Sequence, residues 1–143
     1  MMRRATNVFA LLFYIFLCTP SIADDRQDAI SAAKVIMKLL AKKDYGTLYD
    51  NQTSAWMKQQ SPGKSSAITN MTFARANFSN LTSSDVYDVA YYDINPNWPL
   101  HAPIWSVTFL NVYPSLKVLE RISVTKEDDG QFRMMGLDVA VAP

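Results

Sequence analysis

An alternating segment followed by a polar turn, near the end of the chain, constrains the fold more than any other feature. Residues 116–126 alternate between apolar and polar side chains, which is typical of a half-buried strand. The next four residues, 127–130, read Glu-Asp-Asp-Gly, and an Asp-Gly pair supplies the positive φ that a tight hairpin needs. Residues 131–141 then predict the returning strand. The chain should therefore contain an antiparallel sheet.

Two segments upstream also have strand character. Residues 85–94 are rich in β-branched and aromatic side chains, and residues 104–113 alternate in part. Between them, residues 95–103 contain three prolines, which exclude that stretch from a central strand. Pro114-Ser115 predicts the turn into the closing hairpin. We therefore expect about four antiparallel strands in the second half of the chain.

The first half predicts helices instead. Apolar residues recur at helical spacing over 25–43, with lysines on another face. A second helix is predicted over roughly 47–60, with Asp44 as a cap, and a third over roughly 65–78. Ser61-Pro62-Gly63 separates the two. The predicted fold class is α+β, with three N-terminal helices packed on a curved four-stranded antiparallel sheet.

The N terminus has the layout of a cleavable secretory signal peptide. A basic head at Met1–Arg4 precedes the apolar run Val8–Cys18, and Ser21-Ile22-Ala23 places small residues before the predicted cleavage point. The apolar run is shorter than the about 20 residues that a membrane span needs. An uncleaved anchor and a twin-arginine signal are the less favoured alternatives. We expect a signal peptide at 1–23, one domain at 24–143, and a periplasmic location, with secretion as the alternative.

Removal of the signal peptide would exclude several classes of function. Of 14 Lys+Arg, Arg3 and Arg4 lie in the signal, which leaves 12 against 13 Asp+Glu and a net charge of −1. Such a chain lacks the basic field that holds nucleic acid. The only cysteine, Cys18, leaves as well, so we expect no disulfide, thiol nucleophile or cysteine-based metal site. The mature protein is expected to use no cofactor and no metal, and to have no membrane association.

Two charged residues and one histidine are the candidates for polar chemistry. Arg75 falls on the apolar stripe of the third predicted helix, where a charge is either buried and paired or reaches the rim. We hypothesise that it pairs with Glu120 or another acidic strand residue as structural glue, with ligand contact as the alternative. His101 is the only histidine and lies in the proline-rich loop without an identifiable acid–base partner. No catalytic residue is assigned, and an enzyme is the less favoured hypothesis.

Aromatic side chains are dense in the strand half of the chain. Sheet packing is one interpretation, and an apolar pocket or peptide groove on the concave face of the sheet is the other. The loop at 95–103 would either border such a pocket or contact a partner protein through Trp98. The predicted binding residues are Arg75, Tyr91, Trp98, Trp105 and Glu120.

The closing hairpin also carries a family resemblance. The matching residues are Glu120, Asp129-Gly130, Phe132 and Gly136, with Lys43–Gly46, Ser54–Trp56 and Arg75 upstream. This pattern resembles exported bacterial proteins of the domain of unknown function 4019 family, which is similar to the nuclear-transport-factor-2-like (cystatin-like) superfamily. The resemblance implies a cone-shaped domain, with the sheet wrapped on the first helix and one end open.

The resemblance and the composition together predict an exported binding protein. The leading hypothesis is non-catalytic binding of a small apolar ligand, a peptide or a protein partner through the open end of the cone. The alternative is an interaction module of an envelope or secretion machine, or a toxin-immunity protein. A small cone-fold enzyme ranks third. Whether a sheet edge pairs with the same edge of a second copy to form a homodimer is left open.

Overall fold

The computed structural model describes residues 21–143, which form helical segments followed by a four-stranded sheet. The predicted signal peptide, apart from its last three residues, lies outside the described residues. The helical segments are α1 (Ile22–Ala41), α2 (Tyr45–Thr47), a π-helical turn (Leu48–Gln52), α3 (Ala55–Gln60) and α4 (Lys64–Ala74). The strands are β1 (Ser83–Tyr92), β2 (Ile104–Tyr113), β3 (Leu116–Lys126) and β4 (Phe132–Val141). The predicted α+β class is confirmed.

Helix α1 places one apolar stripe on the sheet. Its buried residues, spaced for one helical face, are Ala29, Ile30, Ala33, Ile36, Met37 and Leu40. They form one core with Val107 of β2 and with Ile122 and Val124 of β3. A capping box starts the helix, since the Ser21 hydroxyl accepts from the Asp24 amide at 3.2 Å and the Asp24 carboxylate accepts from the Ser21 amide at 3.3 Å. Cleavage after Ala23 would remove that cap.

The helix predicted over 47–60 is interrupted at Thr53. The Thr53 hydroxyl donates to the Leu48 carbonyl at 3.0 Å, and the backbone at Thr53 and Ser54 is extended. The Ser54 amide donates to the Met134 carbonyl of β4 at 2.8 Å, and Thr53 forms a parallel bridge with the same residue. Pairing with a sheet edge therefore replaces the helical hydrogen bonds. A pattern of helical spacing does not reveal that competition.

The sheet is an antiparallel meander in the order β1-β2-β3-β4, and it does not close into a barrel. The observed bounds of β2 and β3 equal the predicted ones, whereas β1 begins and ends two residues earlier than predicted. Gly130 in the β3–β4 turn has φ of 78°, as its Asp-Gly sequence predicts. The Gly130 amide donates to the Glu127 carbonyl at 2.8 Å. Strands β1 and β4 are thus the two edges of the described sheet.

Helix α4 ends four residues earlier than predicted, and Arg75 is its C-terminal cap. Asp44 caps α2 as predicted, with its carboxylate accepting from the Thr47 amide at 3.2 Å. Among residues 21–143, no helix is both long enough and apolar enough to cross a bilayer.

Candidate functional site

A buried ion pair joins the end of α4 to the middle of β3. The Arg75 guanidinium pairs with the Glu120 carboxylate through Nη1 and Oε2, and Nη2 lies 3.4 Å from Oε1. Arg75 is 3% exposed and Glu120 is 0% exposed. The predicted pairing of these two residues is confirmed. Because Arg75 caps the C terminus of α4, its long side chain enters the core while the helix itself lies outside it.

Two residues of β2 complete the cluster. The Tyr113 hydroxyl donates to Glu120 Oε1 at 2.6 Å and accepts from Arg75 Nη2 at 3.0 Å. The Asn111 amide nitrogen donates to the same carboxylate oxygen at 2.9 Å. The Phe78 ring lies 4.8 Å from the guanidinium carbon and 5.0 Å from the Tyr113 ring. Glu120 is therefore held by donors from three side chains, which is what a buried carboxylate requires.

The electrostatics of the cluster favour a fixed charge arrangement. Burial lowers the pKa of Arg75, but the hydrogen bond and negative charge of Glu120 outweigh it, and the net pKa is raised. Burial raises the pKa of Tyr113, and its hydrogen bond to Glu120 raises it further. Arg75 therefore stays charged and Tyr113 stays neutral at physiological pH, and neither group gains or loses a proton there. This arrangement suits a structural role.

A separate, apolar cavity lies between α3, α4 and β4. Its volume is about 290 Å³, and three methionines contribute to its wall: Met57 from α3, Met71 from α4 and Met134 from β4. Polar groups at its boundary come from Thr53, Gln60, Ser61 and Asn70. None of the described residues that line this cavity is charged. It can therefore hold an apolar molecule but offers no charged partner to an ionic one.

Two local features of the chain create this cavity. The extended residues Thr53 and Ser54 tie the start of α3 to β4, which places Met134, 1% exposed, at the cavity wall. Gly63 has φ of 127°, a conformation that side chains disfavour, and it turns the chain between α3 and α4. Both features lie at the start of a helix that borders the cavity, since Ser54 caps α3 and Gly63 precedes the first residue of α4.

The predicted aromatic residues do not line this cavity. Trp105 is buried on β2, and its ring centroid lies 4.8 Å from that of Tyr91, its register partner on β1. Trp98 lies in the loop after β1 and is 39% exposed. Arg75 and Glu120 do not line the cavity either. The structure therefore brings the five predicted binding residues together only as two pairs, Arg75 with Glu120 and Tyr91 with Trp105.

The convergence of Met57, Met71 and Met134 on one cavity was not predicted from the sequence. Met57 and Met71 lie on predicted helices and Met134 on a predicted strand, where each is indistinguishable from an ordinary core residue. Their convergence depends on the pairing of Thr53 with β4, which joins residues far apart in sequence. Sequence spacing carries no signal of it.

The described residues do not assemble a recognisable catalytic or metal centre. His101 is exposed in the loop before β2, and no described carboxylate is hydrogen-bonded to it. In residues 21–143, no three His, Cys, Asp or Glu side chains come close enough to hold a metal ion. No family model, curated protein or solved structure matches this chain. The family resemblance of the hairpin stays a prediction.

Proposed function

We propose that this protein binds a small, uncharged, apolar molecule in the cavity between α3, α4 and β4, without catalysing a reaction. One observation carries the proposal: a cavity of about 290 Å³ whose described lining is mostly apolar and uncharged. Ligand sites are typically concave and apolar, with a few polar groups that fix orientation. Here Gln60 and Asn70 supply those groups, because the hydroxyls of Thr53 and Ser61 already donate to backbone carbonyls.

The cavity size limits the ligand. An engineered apolar cavity of about 150 Å³ holds benzene. A volume of about 290 Å³ is roughly twice that. It suits a molecule of one to two rings, or a short alkyl chain with one hydrogen-bonding group. Larger lipids would have to extend into solvent.

The methionines suit a ligand of variable shape. Met57 and Met71 are partly buried on short helices, and Met134 is buried on β4. Methionine is unbranched and polarisable, so its side chain adapts to irregular or aromatic surfaces. We expect recognition by shape and apolarity, with modest selectivity among ligands of similar size.

The cellular setting belongs to the same proposal. The signal-like N terminus supports export to the periplasm, and the hairpin residues that resemble the domain of unknown function 4019 family support a nuclear-transport-factor-2-like fold. A periplasmic binding domain of this kind would carry or sense a small molecule of the cell envelope.

Thermal unfolding in the presence of neutral aromatic probes tests the proposal. We would measure the Tm with indole, naphthalene and a charged analogue, naphthalene sulfonate. A neutral probe at ten times its Kd should stabilise the protein by about 1.4 kcal/mol. For a domain of this size that raises Tm by about 5 °C. The sulfonate should have no effect, because the cavity offers no cation to receive it.

A matched pair of substitutions on α4 localises the binding. Ala67 lines the cavity, whereas Ala74, at the end of the same helix, is exposed. Ala67→Phe should fill the cavity and abolish the Tm increase, and Ala74→Phe should keep it. If neutral probes leave Tm unchanged, or stabilise both variants equally, the cavity is not a binding site.

A further inference from the structure

Strand β1 is an exposed edge of ten residues. In the described residues its only strand partner is β2, so its outer side presents unpaired backbone groups. Such an edge is a template for another strand, and proteins usually protect it with charged side chains, prolines, β-bulges or a covering element. No proline or lysine occurs between Ser83 and Tyr92. A register shift between Val86 and Asp88 is its only irregularity, and the pairing from Asp88 to Tyr92 is regular.

Large apolar side chains are concentrated on this edge. Val86, Tyr87, Tyr91 and Tyr92 are each between 38% and 62% exposed. Ile94 and Trp98, directly after the strand, are 52% and 39% exposed. Exposed aromatic and apolar groups next to one another mark an interaction surface more often than an inert one.

The charged side chains of β1 itself are all acidic; the nearest basic groups are lysines of α1 that border Ser84, and Arg121 of β3, which lies in the same groove as Asp88. Asp85, Asp88 and Asp93 are exposed, and none of them forms an ion pair with another residue in the part of the chain that the structure describes. No lysine or arginine occurs in the sequence between Arg75 and Lys117. Asp85 and Asp88 thus place two carboxylates beside the unpaired backbone groups, and Asp93 adds a third directly after the strand.

We propose that β1 accepts an extended, lysine- or arginine-bearing segment of a partner protein as a fifth strand of the sheet. Backbone hydrogen bonds would supply the general affinity, as in other strand additions. Asp85 and Asp88 would pair with basic side chains of the incoming strand, and the exposed tyrosines would pack on its apolar ones. This surface is separate from the methionine cavity and does not depend on it.

The charge pattern disfavours a second copy of this chain as the occupant. Antiparallel pairing of two β1 strands would bring the Asp85 and Asp88 carboxylates of both copies into one short ladder. Like charges across a strand pair are destabilising. A basic strand turns the same positions into attractive ones.

A synthetic peptide provides the test. The probe is a fluorescein-labelled ten-residue peptide that alternates valine with lysine, and the reference peptide replaces lysine with glutamate. Binding to the purified protein is followed by fluorescence anisotropy, and hydrogen–deuterium exchange locates the contact. We expect the lysine peptide alone to bind and to slow amide exchange in β1. Its affinity should fall as salt rises from 0.05 to 0.5 M, because exposed charges are screened.

Two charge-matched variants separate a local effect from a change in net charge. Asp85→Asn with Asp88→Asn removes two carboxylates from the edge, and should weaken the lysine peptide about threefold to tenfold, since exposed pairs contribute modestly. Asp28→Asn with Asp128→Asn removes the same charge from α1 and the β3–β4 turn, and should leave the affinity unchanged.

Three outcomes overturn the proposal. The first is equal binding of the glutamate peptide, or equal weakening by both double variants. The second is peptide binding without protection of β1 amides, or no binding at either salt concentration. The third is a dimer in sedimentation that Asp85→Asn with Asp88→Asn makes tighter, because the edge would then be occupied by a second copy.

Discussion

Removing the charge of Glu120 tests whether the buried cluster holds the fold together. Glu120→Gln keeps the side-chain size but leaves the Arg75 guanidinium, 3% exposed, without its counter-charge. It also converts the acceptor of Tyr113 and Asn111 into a weaker one. Breaking a buried pair by removing one partner costs about 3–5 kcal/mol. Domains of this kind are stable by about 5–15 kcal/mol in total, so the loss would be severe.

Urea denaturation and thermal unfolding measure the effect. We expect Glu120→Gln to lower the free energy of unfolding by about 3–5 kcal/mol. That corresponds to a fall in Tm of about 10–20 °C for a domain of this size. Arg75→Met should cost a similar amount, because it leaves the Glu120 carboxylate buried and partly unpaired. The double variant should cost less than the sum of the two, since it leaves neither charge uncompensated.

The exposed pair of Arg121 and Asp138 provides the matched control. Their side chains are 50% and 63% exposed, and Arg121 Nη2 lies 2.9 Å from Asp138 Oδ2. Arg121→Met should cost below about 1 kcal/mol. The reasoning is refuted if Arg75→Met is as mild as Arg121→Met, or if the effects of the two cluster substitutions add within about 0.5 kcal/mol.

Two further predictions concern single polar groups. Tyr113→Phe removes the hydroxyl that bridges Arg75 and Glu120. In a urea titration it should lower the free energy of unfolding by about 1–3 kcal/mol. Tyr87→Phe, at an exposed position, is the control and should have almost no effect. Hydrogen bonds from Arg133 and the Gln131 amide lower the pKa of Asp129 from 3.8 to about 2. The stability that the Asp129 carboxylate contributes is therefore complete above about pH 5 and is lost progressively as the pH falls to about 2. The Tm difference between wild type and Asp129→Asn, measured from pH 6 to pH 2, should shrink below about pH 5, and a constant difference would contradict the assignment.

The elements that matched prediction are those determined by local sequence. Strands β2 and β3 have the predicted bounds because alternation and turn residues at 114–115 and 127–130 both act within a few positions. The pairing of Arg75 with an acidic residue of a strand, Glu120 or another, could also be predicted. A charge on an apolar stripe is either buried and paired or reaches the rim, and β3 carries a carboxylate among apolar neighbours with which it could pair.

The elements that escaped prediction depend on contacts between distant residues. The interruption of the second helix arises from Thr53 and Ser54 pairing with Met134, about eighty positions later, and helical spacing at 47–60 contains no trace of it. The methionine cavity follows from that same pairing. Of the two interpretations of the dense aromatic residues, the contact between Trp105 and Tyr91 corresponds to sheet packing, while Trp98 lies in a loop whose position only the folded chain determines.

Helix α4 connects the buried cluster with the cavity, because Arg75 caps its C terminus and Met71 lines the cavity. No residue of α4 is buried, and only Ile68 and Met71 pack partly against the core. A helix with so little apolar contact gains little from the hydrophobic effect, so its attachment depends strongly on the Arg75 side chain at its end. Because Met71 and Asn70 of that helix line the cavity, we expect the ion pair of Arg75 with Glu120 to hold the cavity wall in place as well. The buried cluster does not line the cavity, but we expect it to determine whether the proposed binding cavity keeps its shape.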